Sequence, residues 1–154
     1  MIEMSWKYKV MQLPKIPYKL GLGQLLGKRI LLLITKGRKS NKLRITPLQY
    51  DIHKNCFFIG SMRGVKADWY KNIEKNNSVL IQMGKKTIKG SSYPISSPTK
   101  VRDFMKLRLS KHPVMIRLIL SLDGVKNVNN EKEIDKYAKK ISFIKIKPKT
   151  LIVN

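Results

Sequence analysis

The residue types best suited to chemistry cluster in a short basic segment, residues 36–42, which reads KGRKSNK. Its glycine, serine and asparagine are typical of a hairpin turn. Backbone N–H groups of such a turn, together with Arg and Lys side chains, bind phosphate or carboxylate oxygens. Arg44 and Thr46 follow Lys42 at two-residue spacing, so a returning strand would present all three on one face. The segment predicts an anion-binding site, and the alternative is a solvated basic hairpin without a ligand.

A second candidate site is residues 60–64, GSMRG, at the end of a predicted strand. Two glycines allow a flat ligand to approach the backbone closely. The alternative is an ordinary turn between a strand and a helix. Trp69 and Tyr70 follow on the next predicted helix, and taken alone such residues are more often core than ligand-stacking.

Other chemistries find little support in the residue content. The single cysteine, Cys56, lies in the apolar sequence KNCFFIG, which favours a buried thiol and excludes an internal disulfide. His53 and His112 are the two histidines and lack carboxylates at ligand spacing, so no metal site is predicted. No nucleophile motif is present, which disfavours hydrolysis.

The charge is strongly positive: 33 Lys and Arg oppose 9 Asp and Glu, for a net charge of +24. An anionic partner is expected, which leaves open nucleic acid, an anionic membrane surface, or a small ligand rich in phosphate or carboxylate. A lysine-rich proteome would give similar numbers without a specific partner. No apolar run approaches the roughly 20 residues that span a bilayer, and no signal sequence is evident, so we expect a cytoplasmic protein. Peripheral membrane contact through Trp6, Tyr8 and Tyr18 stays open.

A chain of 154 residues favours one domain, and we expect a basic N-terminal arm at residues 1–19 and a folded domain at 20–154. The predicted fold is mainly β with α: a small barrel of about six antiparallel strands with an inserted helix and C-terminal helices. Residues 51–55 are predicted as a turn. Strands are predicted at residues 30–34, 43–50, 56–60, 79–83, 87–93 and 141–147, the last ending before Pro148.

The predicted helices cover residues 66–76, a segment opening at Ser97 and Pro98, and residues 131–140. After His112-Pro113 the run VMIRLILSL is apolar nearly all round. Such a helix is expected in the core or at a subunit contact.

Together these pieces resemble the deazaflavin-dependent nitroreductase family, which has the split β-barrel fold of flavin-binding reductases. The resemblance covers about residues 20–90, and GRKS at 37–40, TPL at 46–48 and WYKN at 69–72 carry most of it. It departs from the family at Asn41, where glycine is usual, and in a shorter stretch from Ser61 to Trp69. Asp68 adds an acid beside the predicted site.

The resemblance implies hydride transfer from reduced 8-hydroxy-5-deazaflavin, coenzyme F-420, to a small electron-poor acceptor of nitro, enone or quinone type. It also implies a homodimer. Arg38, Lys39, Ser40 and Arg44 would bind the anionic cofactor tail, and Ser61 or Tyr70 would polarise or protonate the acceptor. FMN or haem in the same barrel, or nucleic-acid or membrane-surface binding without catalysis, are the alternatives. The cofactor-binding residues implied are Thr35, Gly37, Arg38, Lys39, Ser40, Arg44, Thr46, Pro47, Leu48, Ser61, Met62, Arg63, Gly64 and Trp69.

Overall fold

A computed structural model describes residues 30–61, 63–84 and 86–153, with side chains described up to residue 149. Seven antiparallel strands form one sheet in the order β2-β1-β5-β6-β7-β4-β3. Strand β2 at one edge approaches β4 near the other, so the sheet curls into a half-barrel. The strands are β1 Ile30–Lys36, β2 Leu43–Gln49, β3 Asp51–His53, β4 Cys56–Ser61, β5 Ser78–Met83, β6 Lys86–Ile95 and β7 Ser142–Val153.

Four helices flank this sheet among the described residues. Helix α1 (Asp68–Lys75) follows a 3-10 turn at Gly64–Lys66 and lies between β4 and β5 in the chain. Helices α2 (Pro98–Lys111), α3 (Pro113–Leu122) and α4 (Glu131–Ala138) lie between β6 and β7.

Within the described residues, two large apolar clusters and a small third one, Ile34 with Leu80, pack on the sheet. The first large cluster packs α1 against the sheet and includes Leu33, Ile59 and Tyr70. The second lies beneath α2 to α4, where the rings of Phe58 and Phe143 pack against Phe104 at centroid distances of 4.5 and 4.7 Å.

The predicted mainly-β fold with an inserted helix and C-terminal helices is confirmed. The predicted turn at residues 51–55 is wrong, because Asp51–His53 is a strand that pairs with β4. Lys54 and Asn55, with φ of 48° and 58°, form the two-residue turn between them. The basic arm predicted at residues 1–19 lies outside the described residues.

The predicted end of the last strand at Pro148 is also wrong. Strand β7 continues to Val153, and Pro148 lies opposite Gly90 beside a register shift. A bulge tolerates proline because the ladder hydrogen bond is interrupted there.

The predictions for α2 and α3 each differ from the structure in one respect. Helix α2 begins at Pro98 as expected, but the Ser97 side chain makes no capping hydrogen bond. Helix α3 buries Ile116 and Leu120, whereas Leu118 and Leu122 on its opposite face are exposed. The prediction that α3 lies in the core is therefore wrong for the face that carries Leu118 and Leu122. A subunit contact at this face stays a prediction.

Replacing Gly64 with alanine is expected to lower the free energy of unfolding by about 3 kcal/mol. Gly64 has a φ of +58°, and a Cβ there would lie 2.6 Å from the Lys140 carbonyl oxygen. Gly84 offers a matched control, because its φ is +59° but a Cβ would meet nothing within 4 Å. The Gly84→Ala variant should lose only about 1 kcal/mol in urea unfolding. Equal losses would contradict the close contact with Lys140.

Candidate functional site

The β1–β2 hairpin has the compact turn that its sequence predicts. The Gly37 N–H donates to the Lys42 carbonyl at 2.8 Å, and the Asn41 N–H donates to the Gly37 carbonyl at 2.9 Å. A Cβ at Gly37 would lie 2.8 Å from the Ser40 hydroxyl oxygen and 3.2 Å from the Lys42 carbonyl oxygen, so the turn leaves little room for a side chain here. Asn41 has a φ of 56°, which asparagine tolerates better than most residues.

A cavity of about 750 Å³ opens beside this hairpin. Arg44 and Thr46 on β2 lie opposite Thr35 and Leu33 on β1, and both β2 residues line the cavity. The lining consists of Gly37, Arg38, Lys39, Ser40, Leu43, Arg44, Ile45, Thr46, Asp68, Trp69 and Asn72.

Arg38 joins the hairpin to α1. Its guanidinium Nη2 lies 2.9 Å from the Asp68 carboxylate, and Nη1 donates to the Asp68 carbonyl at 3.3 Å. Nη1 and the Arg38 backbone N–H both donate to Oδ1 of Asn72, each at 3.1 Å. These contacts hold the Arg38 guanidinium in one orientation beside α1.

Asn72 is a site residue to which the sequence analysis gave no role. It is buried, and its Nδ2 donates to the Thr35 hydroxyl at 3.3 Å while Oδ1 accepts from Arg38. Its place at the end of the WYKN motif was the one feature of the sequence that could have pointed to Asn72. Thr35, which was expected to bind the cofactor, is buried, does not line the cavity and supports Asn72 through this hydrogen bond.

Asp68 is the acid among the cavity-lining residues, opposed to Arg38, Lys39 and Arg44. The hydrogen bond and charge of Arg38 lower the pKa of Asp68 below its ordinary value, and Lys71 and Arg63 add to the effect. Asp68 is ionised at neutral pH. It therefore competes with any anionic ligand for Arg38.

The second candidate segment lies apart from this cavity. Ser61 is buried at the end of β4, opposite Ser142, and its hydroxyl donates to the Gly64 carbonyl at 2.6 Å. Neither Ser61 nor Gly64 lines the cavity, and Arg63 is exposed. Met62 lies outside the described residues.

Trp69 and Tyr70 point in different directions from α1. Trp69 lines the cavity, whereas Tyr70 is fully buried. The Tyr70 hydroxyl is buried, and burial raises the pKa of Tyr70, while the nearby Ser142 hydroxyl opposes the rise. Pro47 and Leu48 on β2 do not line the cavity, and Leu48 packs against the apolar cluster that contains Leu33 and Ile59.

A separate charged cluster ties β3 to the helices. The Asp51 carboxylate is buried, with Nε of Arg108 at 2.6 Å and Nε2 of His112 at 3.2 Å. His112 also lines a second cavity of about 420 Å³ with Tyr50, Ile52 and Lys111. Sequence reasoning missed this cluster, because its members are far apart in the chain.

The described part of the chain contains no group of three or more His, Cys, Asp or Glu side chains placed to hold a metal ion. No helix within the described ranges is long and apolar enough to cross a membrane.

The curled antiparallel sheet with its inserted helix defines a split-barrel protein, and solved structures share this fold. A conserved hypothetical protein from Mycobacterium tuberculosis has a TM-score of 0.58 at 12% identity, over 80% of this chain and 74% of that one. A protein described as an F420 reductase has a TM-score of 0.53 at 14% identity, over 84% and 94%. A putative pyridoxamine 5'-phosphate oxidase from Listeria innocua has a TM-score of 0.54 at 11% identity, over 81% and 87%.

The F420H(2)-dependent quinone reductase family matches residues 17–114, which is more than half of the chain. The chain belongs to this family. It is an F-420-dependent reductase, and coenzyme F-420 is its cofactor. The predicted relationship to deazaflavin-dependent split-barrel reductases is thereby confirmed.

Proposed function

We propose that this protein transfers a hydride from reduced coenzyme F-420 to a small electron-poor acceptor, with a quinone as the leading candidate and nitro or enone compounds next. The observation that carries the proposal is the cavity beside the β1–β2 hairpin, where cationic side chains converge on a glycine turn. Family membership supports the quinone over the other acceptors.

The cofactor tail carries phosphate and carboxylate groups, and the cavity has matching donors. Arg38, Lys39 and Arg44 offer cationic heads, while Ser40 offers a hydroxyl. Charge-assisted hydrogen bonds to such oxygens are stronger than neutral ones. Arg38 is already oriented by Asn72, so little conformational entropy is lost when it binds the tail.

The ring of the cofactor is proposed to extend from this cavity along β2. Trp69 would pack behind the ring, and Thr46, Pro47 and Leu48 would flank it. Of the segment expected to form the opposite wall, Ser61 and Gly64 are buried away from the cavity, so Arg63 is the described residue proposed to reach the ring. When bound, the reduced deazaflavin supplies the hydride; the protein binds it, orients the acceptor and excludes water.

The family resemblance assigns Ser61 and Tyr70 to the proton that the reduced acceptor takes up, but both side chains are buried and neither lines the cavity. Burial also raises the pKa of Tyr70, which makes its hydroxyl a weaker acid. The Tyr70→Phe variant should therefore keep kcat and coenzyme F-420 affinity within about twofold of the wild type. Steady-state kinetics and fluorescence titration separate the two quantities. A loss of kcat by roughly tenfold or more would return Tyr70 to the mechanism.

Replacing Asp68 with asparagine is expected to tighten coenzyme F-420 binding by roughly tenfold, because a competing carboxylate leaves Arg38. The control is Asp103→Asn on α2, which removes an exposed acid away from the cavity. Fluorescence titration measures both. Weaker binding by Asp68→Asn would mean that the Arg38–Asp68 pair positions the site rather than competes for it.

The direct test is titration of the whole protein with coenzyme F-420, FMN and duplex DNA at low and moderate salt. Saturable binding of coenzyme F-420, followed by oxidation of its reduced form when a quinone is added, supports the proposal. Binding of FMN alone would favour the flavin alternative. DNA binding that falls steeply with salt, without binding of either cofactor, would overturn the proposal.

A further inference from the structure

A row of large apolar side chains lies exposed along α3. Val114, Leu118 and Leu122 are 83%, 60% and 78% exposed and follow one another at intervals of four residues. Residues at this spacing share one face of a helix, and the row extends over roughly 12 Å. We call these three residues the α3 stripe. Single exposed apolar residues are ordinary on a protein surface, whereas a contiguous row of them is typical of an interaction surface.

The helix that carries the α3 stripe is anchored from its other face. Ile116 and Leu120 are buried in the cluster beneath the helices. Met115 accepts a hydrogen bond at its Sδ from Nε2 of Gln49 at 3.1 Å, which joins α3 to the end of β2. The stripe is therefore a fixed feature of the folded surface.

The one charged residue within α3 is positive. Arg117 is exposed on α3 between the residues of the stripe and forms no ion pair among the described residues. Lys111, the last residue of α2, is exposed just before α3 begins, and its Nζ donates to the Ile52 carbonyl at 3.4 Å. The next acid in the chain, Asp123, accepts a hydrogen bond from the Tyr137 hydroxyl at 2.6 Å. The cations Arg102 and Lys106 on α2, by contrast, pair with acids on α4.

We propose that the α3 stripe docks this protein on the surface of an anionic lipid bilayer. The apolar side chains of the stripe enter the boundary between headgroups and acyl chains, and Arg117 and Lys111 contact headgroup phosphates. Exposed apolar residues interleaved with cations are what an interfacial helix requires. The net charge of +24 adds long-range attraction to an anionic leaflet.

The same charge argues against a second copy of the chain as the occupant of the stripe. Each copy carries a net charge of +24 over the whole chain, so two copies would repel one another as they approach. An anionic lipid surface would cover the apolar side chains of the stripe and would also neutralise the positive charge of the protein. The proposal stands apart from the reductase activity and needs no cofactor.

The test uses the full chain in co-sedimentation with vesicles of phosphatidylcholine, alone or mixed with phosphatidylglycerol. We expect partition onto the mixed vesicles. The double variant Leu118→Ser/Leu122→Ser should reduce this partition by roughly tenfold or more. Val65→Ser is the matched control, because Val65 is also exposed but lies in the 3-10 turn before α1, and it should bind as the wild type does. Circular dichroism checks that each variant is folded.

Replacing Arg117 with glutamine gives an independent readout. It should weaken partition onto mixed vesicles by roughly fivefold and leave binding to pure phosphatidylcholine unchanged. Equal partition of the wild type and the double variant would overturn the proposal. So would a wild-type dimer in light scattering that the double variant converts to a monomer without any vesicle binding, because a second copy would then cover the stripe.

Discussion

Replacing Arg44 with alanine is expected to weaken coenzyme F-420 binding by roughly ten- to a hundredfold while the free energy of unfolding stays unchanged. Arg44 lines the cavity and is exposed, and it forms no hydrogen bond or ion pair with the described residues. Its removal therefore leaves the protein interior intact. The loss in affinity then reports on contact with the anionic tail alone.

Arg38 makes the informative comparison, because it has two roles. Its side chain also donates to Asn72 and Asp68, so Arg38→Ala should weaken binding and lower the free energy of unfolding by about 1 kcal/mol. The exposed Asp68 contributes little of that amount, since surface ion pairs are weak. Arg44→Ala should show the binding loss by itself.

Lys136→Ala provides the control for charge. Lys136 is exposed on α4 and does not line the cavity, so its removal lowers the net charge equally without touching the site. Fluorescence titration at two salt concentrations, with urea unfolding of each variant, completes the measurement. Equal affinity losses for Lys136→Ala and Arg44→Ala would mean that the overall field binds the cofactor, and the hairpin site would be rejected.

The hairpin could be predicted from sequence because its determinants are local. A glycine and an asparagine that adopts positive φ sufficed to predict the turn, and Arg44 and Thr46 line one cavity as expected. Alternation does not account for the whole lining, because Leu43 and Ile45 also line the cavity and Lys42 does not. The resemblance to a known family added the cofactor. The strand count was less certain, because β3 is three residues long and its pairing partner decides whether it is a strand or a turn.

The support behind the site could not be predicted in the same way. Asn72 contacts Arg38 across 34 residues of sequence and Thr35 across 37. Local patterns carry no information about such pairs. The Arg38–Asp68 ion pair has the same origin, and Asp68 was noted from sequence only as an acid near the site. The burial of Ser61 and Tyr70 likewise depends on how β4 and α1 pack against the rest of the sheet.

Replacing Asp51 with asparagine is expected to lower the free energy of unfolding by about 3–5 kcal/mol. Asp51 is buried in β3, and Nε of Arg108 lies 2.6 Å from its carboxylate. The Arg108 side chain is only 15% exposed, and its guanidinium lies 6.0 Å from the centroid of the Phe143 ring. Asparagine keeps the shape of Asp51 but removes the negative charge. Arg108 would then remain desolvated in the interior without a counter-charge.

A double-mutant cycle separates the cost of an orphaned charge from the loss of packing. Arg108→Met alone leaves Asp51 buried beside His112, and the combination with Asp51→Asn removes both ions. The double variant should be more stable than Asp51→Asn, because no unpaired cation remains. Asp103→Asn, which affects an exposed pair at 3.9 Å, should lose less than about 1 kcal/mol. If Asp51→Asn lost no more than Asp103→Asn in urea unfolding, the link from β3 to the α2–α3 junction would contribute nothing to stability.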